Sequence, residues 1–223
     1  MMEETLVRMA APTLAGIKTG SLFPYYYRSR EALGAEMGRL NRLLIPRGLL
    51  LVLLRLTGRS ALLYLFRPAD LEKDLTDRAV RELLRCAGYP CSGCGACLHH
   101  LLERFQKEEG FPHEIGLFLS YPPEDVKGFL ENRDDYKAAC LWKIYGDEDK
   151  ARRLCAKYEK CTACYCRMWQ KGCRLSRSVC RLRLHTTSER EGKMRSDRRL
   201  SAFRCCRGRC GTVDGQDVPC LLV

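Results

Sequence analysis

The chain has 223 residues, a formal net charge of +12 and 15 cysteines, a length that suits one core-bearing domain with or without an appendage. Its start, MMEETLVRMAAPTL, carries acidic residues where a secretory signal has a basic region, and its longest apolar stretch, 48–66, is broken by Arg55, Gly58 and Arg59, so a cytoplasmic chain without a membrane anchor is expected. The charge is uneven: residues 174–223 hold 12 Lys and Arg against 5 Asp and Glu, so the basic excess is a property of the tail and nucleic acid is not an expected partner of the folded part.

The segment APTLAGIKTGSLFPYYY, rich in Gly, Pro and Thr, reads mostly as loop. In SREALGAEMGRLNRLL, Ser29 caps a helix whose Leu33, Met37, Leu40 and Leu44 share one face. Apolar runs at 49–56 and 61–66, separated by TGRS, predict a hairpin of two buried strands. ADLEKDLTDRAVRELLRCAGY predicts a helix ending before Gly88, and a further helix is expected from Ser92 to about Lys107. HEIGLFLSY reads as a central strand and PPEDVKGFLENR as a helix opened by prolines. AACLWKIYG reads as another strand, and the stretch from Asp147 to Gly172 as a long helix. The sum is a mixed α/β (α+β) fold with a mixed sheet of about four strands packed by several helices. The expected division is 1–176 as one domain and 177–223 as a basic, Cys- and Arg-rich tail, disordered or an unselected extension.

Cys91, Cys94 and Cys97 stand at C-x2-C-x2-C spacing, and Cys161 and Cys164 form a second C-x2-C. Soft thiolates at such intervals hold an iron–sulfur cluster or zinc. The first run lacks the terminal Cys-Pro of a ferredoxin-type site, so its fourth ligand would have to come from Cys86, Cys161 or Cys164. Helical geometry offers a different reading. Cys94, Cys97, Leu98, Leu101 and Phe105 lie on one face, as do Leu154, Tyr158, Cys161, Tyr165 and Met168, which makes the cysteines core residues. Spacing leaves both readings open.

Other motifs fail their templates. GIKTGS has three residues between its glycines where a phosphate-binding loop needs four, and its lysine precedes Gly20. His113-Glu114 lacks the second histidine of a zinc-protease helix. No motif assigns an enzymatic reaction.

Three blocks in order, APTLAGIKTGSLF, FPHEIGLFLSYPPEDVKGFLENR and LWKIYGDEDKARRLCAKYEKCTACY, resemble a bacterial family known as domain of unknown function 3793. The resemblance covers roughly residues 5–176. It implies a cytosolic α/β protein without an assigned activity, set near iron uptake and flavodoxin systems, and hence iron-transport or flavodoxin-system proteins as partners. The family's characteristic positions fall on Pro12, Thr13, Gly16, Lys18, Phe23, His113, Glu114, Gly116, Tyr121, Pro122, Asp125, Val126, Gly128, Trp142, Tyr145 and Gly146. The chain has Ala10 where family members often carry a cysteine, and the three-cysteine run is not a family feature, which favours core cysteines.

The expected function is a non-enzymatic binding or regulatory protein with a ligand site formed by Lys18, Thr19, His113, Glu114 and Tyr121. No cofactor is expected. The alternatives are an iron–sulfur or zinc redox protein using Cys91, Cys94, Cys97, Cys161 and Cys164, and a nucleic-acid binder acting through the tail.

Overall fold

A computed structural model describes residues 1–90, 92–107, 110–131 and 134–175. In chain order the elements are α1 (Met2–Leu14), β1 (Gly20–Tyr26), α2 (Arg30–Leu44), β2 (Leu50–Thr57), β3 (Ser60–Phe66), α3 (Pro68–Leu75) and α4 (Arg78–Cys86). There follow α5 (Cys94–Lys107), α6 (Ile115–Phe118), α7 (Pro123–Glu131), β4 (Ala138–Ala139), β5 (Lys143–Ile144) and α8 (Glu148–Gln170). This is a mixed α+β fold. Among the described residues no helix is long and apolar enough to cross a membrane.

The main sheet is three-stranded and antiparallel, in the order β1-β3-β2, and β4 and β5 form a separate two-stranded hairpin. The TGRS turn joins β2 to β3 as read from the sequence, with Gly58 at φ 56° supplying the left-handed residue such a tight loop needs. Alternation along β3 divides the core in two. Ala61, Leu63 and Leu65 join Phe23, Leu51 and residues of α1, α2 and α8, whereas Tyr64 and Phe66 join Leu22, Leu54 and residues of α3 to α7. A bulge between Leu53 and Arg55 shifts the parity of β2 by one. Leu56 therefore returns to the α1–α2 side, although Leu50, Val52 and Leu54 face the other. At the β2 edge, the Asn41 amide donates to the Leu51 carbonyl and accepts from its N–H, both at 2.9 Å, which ties α2 to the sheet.

Several expectations are corrected. Residues 11–14 and 20–26, read mainly as loop, belong to α1 and β1. Helix α1 bends at Ala10, just before its internal Pro12, and Pro24 is admissible because β1 is an edge strand. Residues 113–121, read as a central strand, contain the short helix α6, with Ile115, Gly116, Leu117 and Phe118 all buried. A short apolar run enclosed on all sides carries no period that separates strand from helix. The segment 138–146 folds back on itself as β4 and β5. The helix expected after Pro68 is two helices, because the Asp77 carboxylate accepts from the N–H groups of Ala79 and Val80 and starts α4. The tail assigned to 177–223 lies outside the described residues.

Candidate functional site

The loop from α1 to β1 carries Lys18 and Thr19, and its path is set by Arg67. This fully buried arginine follows β3. It donates from Nε to Thr13 O at 2.8 Å and from Nη2 to Leu14 O at 2.9 Å, so its positive charge meets the carbonyl end of α1. Its backbone N–H donates to Thr19 O at 2.9 Å. Gly20 then passes so close to Tyr64 and to the carbonyl of Phe118 that a Cβ there would lie 2.6 Å from each. Lys18 and Thr19 are thereby pressed against the turn that follows α6.

That turn carries Ser120, the one non-glycine residue with positive φ (59°) among the described residues. The reversal lets the Tyr121 N–H donate to Gly116 O at 3.0 Å. The Ser120 hydroxyl accepts from the Thr19 N–H at 3.0 Å and donates to Asp74 Oδ2 at 3.1 Å, and the Thr19 hydroxyl donates to the same oxygen at 2.6 Å. Asp74, on α3, thus joins two loops. A left-handed serine costs on the order of 1 kcal/mol or more, offset here by two hydrogen bonds, one of them to a carboxylate.

Beside this lock stands Lys18. Its ammonium lies 5.0 Å from the Tyr121 ring centroid and 5.7 Å from that of Tyr158 on α8. Tyr121 is backed by Trp142, stacked at 4.6 Å, and the Trp142 indole N–H donates to buried Asp125 Oδ2 at 2.8 Å. The other oxygen of Asp125 accepts from the N–H groups of Tyr145 and Gly146, so the wall behind Tyr121 is rigid. Burial among these rings pushes the Lys18 amine down from 10.5 to about 8, and among the described residues no carboxylate opposes the shift. Burial, with Asp74 secondary, pushes the Tyr158 phenol up to about 12.

The remaining expected ligand residues divide. His113 and Tyr121 line one small cavity with Asp125, Phe129 and Trp142, and the His113 ring lies against Phe111 and Phe129. Glu114 turns away from Lys18. It is buried, accepts from the Tyr89 hydroxyl at 2.8 Å and pairs with Arg104 of α5. Both residues precede a helix and do not end a strand.

Cys97 is buried on α5 with Cys94 half-buried beside it, in the core on the α3–α7 side of the sheet. Cys161 is buried on α8, on the α1–α2 side. The two C-x2-C pairs therefore do not meet. Among the described residues no three His, Cys, Asp or Glu side chains gather where a metal could bind; Cys91 lies outside the described residues. Burial raises the thiols of Cys94 and Cys161, the latter to about 11. A disulfide absent from the sequence reading joins Cys140 to Cys155, linking the β4–β5 hairpin to α8.

A sequence model of the family described as "Protein of unknown function (DUF3793)" matches residues 6–179. The chain belongs to the DUF3793 family. No curated protein and no solved structure matches it. Within this DUF3793 domain, Lys18, Thr19 and Tyr121 are brought together, while Asp74, Ser120 and Tyr158 complete the corner without having been singled out as site residues. Tyr158 was visible as one member of a helical stripe. Asp74 carried no signal, because its role depends on loops 55 and 46 residues away in sequence.

Proposed function

We propose that this protein binds a small anionic ligand at the Lys18 corner and acts as a binding or regulatory protein rather than through chemistry of its own. The observation that carries this reading is a lysine seated between two tyrosine rings, still partly exposed, with no carboxylate among the described residues answering its charge. A cation in such a seat is poorly solvated, and an incoming anion supplies the missing countercharge. Asp74, the acid of this corner, is occupied by Thr19 and Ser120. The Asp125-held wall keeps Tyr121, stacked on Trp142, in place before a ligand arrives.

Restoring the amine from about 8 to its ordinary 10.5 would tie anion binding to protonation by up to about 300-fold, at one decade per pH unit. A setting in iron or redox metabolism, with iron-transport or flavodoxin-system partners, extends this reading by family resemblance alone. The test is calorimetric titration of the full chain with orthophosphate, pyrophosphate and succinate. Saturable binding of at least one probe is expected, weakening above pH 8 and lost in Lys18→Met. Binding unaffected by that substitution, or no binding of any probe, overturns the proposal.

A further inference from the structure

A second site lies on α5, remote in sequence from Lys18 and independent of it. Helices α3, α4 and α5 enclose a groove of about 190 Å³ with Leu75, Leu84 and Tyr89 in its wall, Arg81 and Arg85 on α4, and both Cys94 and Cys97 in its lining. Cys94 is the first residue of the helix. Cys97, one turn on, is buried and donates its thiol to the carbonyl of Pro90 at 3.3 Å. We propose that Cys94 and Cys97 are a redox-active dithiol that exchanges with low-molecular-weight acidic disulfides.

Three features support the assignment. First, residues three apart on a helix hold their Cβ atoms about 5–6 Å apart, and a disulfide needs roughly 3.5–4.5 Å. Closing that gap falls to Cys94, which at the helix start has no intrahelical bond on its own N–H and can rotate at small cost. Second, the two thiols differ in access. The half-buried Cys94 is the attacking group, and the buried Cys97, held toward Pro90, is the resolving one. Third, the two arginines, facing the single acid Glu72, give the groove a positive balance that selects carboxylate-bearing disulfides over cationic ones.

The exchange balances as follows. The Cys94 thiolate attacks one sulfur of the incoming disulfide, forming a mixed disulfide and expelling the first thiolate. Cys97, deprotonated in turn, attacks Cys94 Sγ, expels the second thiolate and closes the Cys94–Cys97 bond. Two electrons and two protons pass from the protein to the small molecule, which leaves as two thiols.

The test uses the full chain, reduced and then equilibrated with glutathione disulfide and glutathione at graded ratios. Free thiols are trapped by alkylation and the disulfides mapped by mass spectrometry. A Cys94–Cys97 disulfide that appears and disappears with the ratio is expected. Cys97→Ser, checked for native circular dichroism, should accumulate glutathione on Cys94. Glutathione disulfide should react faster than cationic cystamine, and Arg81→Ala with Arg85→Ala should reduce that preference on the order of tenfold at low salt. Should Cys97→Ser fail to fold, the wild-type map decides. No Cys94–Cys97 bond at any ratio, or pairing of Cys94 with Cys91 instead, overturns the proposal.

Discussion

Replacing Lys18 by Met removes a poorly solvated charge while keeping an apolar stem between Tyr121 and Tyr158. A folded-state value near 8 against an ordinary 10.5 corresponds to roughly 3 kcal/mol disfavouring the ammonium, at about 1.4 kcal/mol per pH unit. Lys18 keeps some solvent contact, and its two ring contacts favour the charged form, so about half of that should survive as a net cost. Lys18→Met is therefore expected to stabilise the fold by about 1–2 kcal/mol at pH 7. Because the folded value is depressed, the unfolded chain holds a proton that the folded chain lacks between about pH 8 and 10.5. Wild-type stability accordingly gains on that of the variant as pH rises through this window, and most of the difference should be gone by pH 10. Urea denaturation of both proteins at pH 7 and pH 10 measures it. A variant less stable than wild type by a pH-independent margin would refute the reasoning, since Lys18 would then be a structural residue.

Other substitutions probe the frame around the corner. Arg67→Met removes the donor to Leu14 O and leaves Thr13 O with the Gly16 N–H, and should cost about 1–3 kcal/mol in urea denaturation, with Arg67→Lys recovering only part because an ammonium cannot reproduce the fork. Glu114→Ala removes the carboxylate shared by the Arg104 guanidinium and the Tyr89 hydroxyl and should destabilise by about 2–3 kcal/mol without altering anion binding at Lys18. Cys140→Ser paired with Cys155→Ser opens a 15-residue loop and should cost about 3 kcal/mol, read as a lower thermal midpoint under non-reducing conditions. A variant indistinguishable from wild type in any of these measurements contradicts the role given to that contact.

Local signals were legible where local physics decides. The Ser29 hydroxyl accepts from the Ala32 N–H at 3.1 Å as its place before an apolar periodicity implied, and Asp147 caps α8 in the same way. The buried stripes of α5 and α8, cysteines included, follow helical spacing. Where tertiary enclosure decides, the sequence misleads. Segment 113–121 is apolar because the core surrounds a short helix, and β1 is disguised by Gly20 and Pro24, which an edge strand pressed against Tyr64 accommodates. The site was half legible. Lys18 and Tyr121 stood among the family's characteristic positions and the expected ligand residues. Their meeting depends on Arg67 anchoring one loop and Asp74 joining two, and neither residue carries a mark in its own neighbourhood. Glu114, singled out with them, is explained by Arg104, ten residues earlier on α5.

The most direct measurement of the Lys18 assignment is its own titration, followed by carbon-13 NMR of the lysine Cε, with Lys18→Met to assign the signal, in the absence and presence of pyrophosphate. A midpoint near 8 for the protein alone, moving upward when pyrophosphate is added, is the expected result. A midpoint near 10.5 that pyrophosphate leaves unchanged would contradict it, returning Lys18 to the ordinary solvated surface.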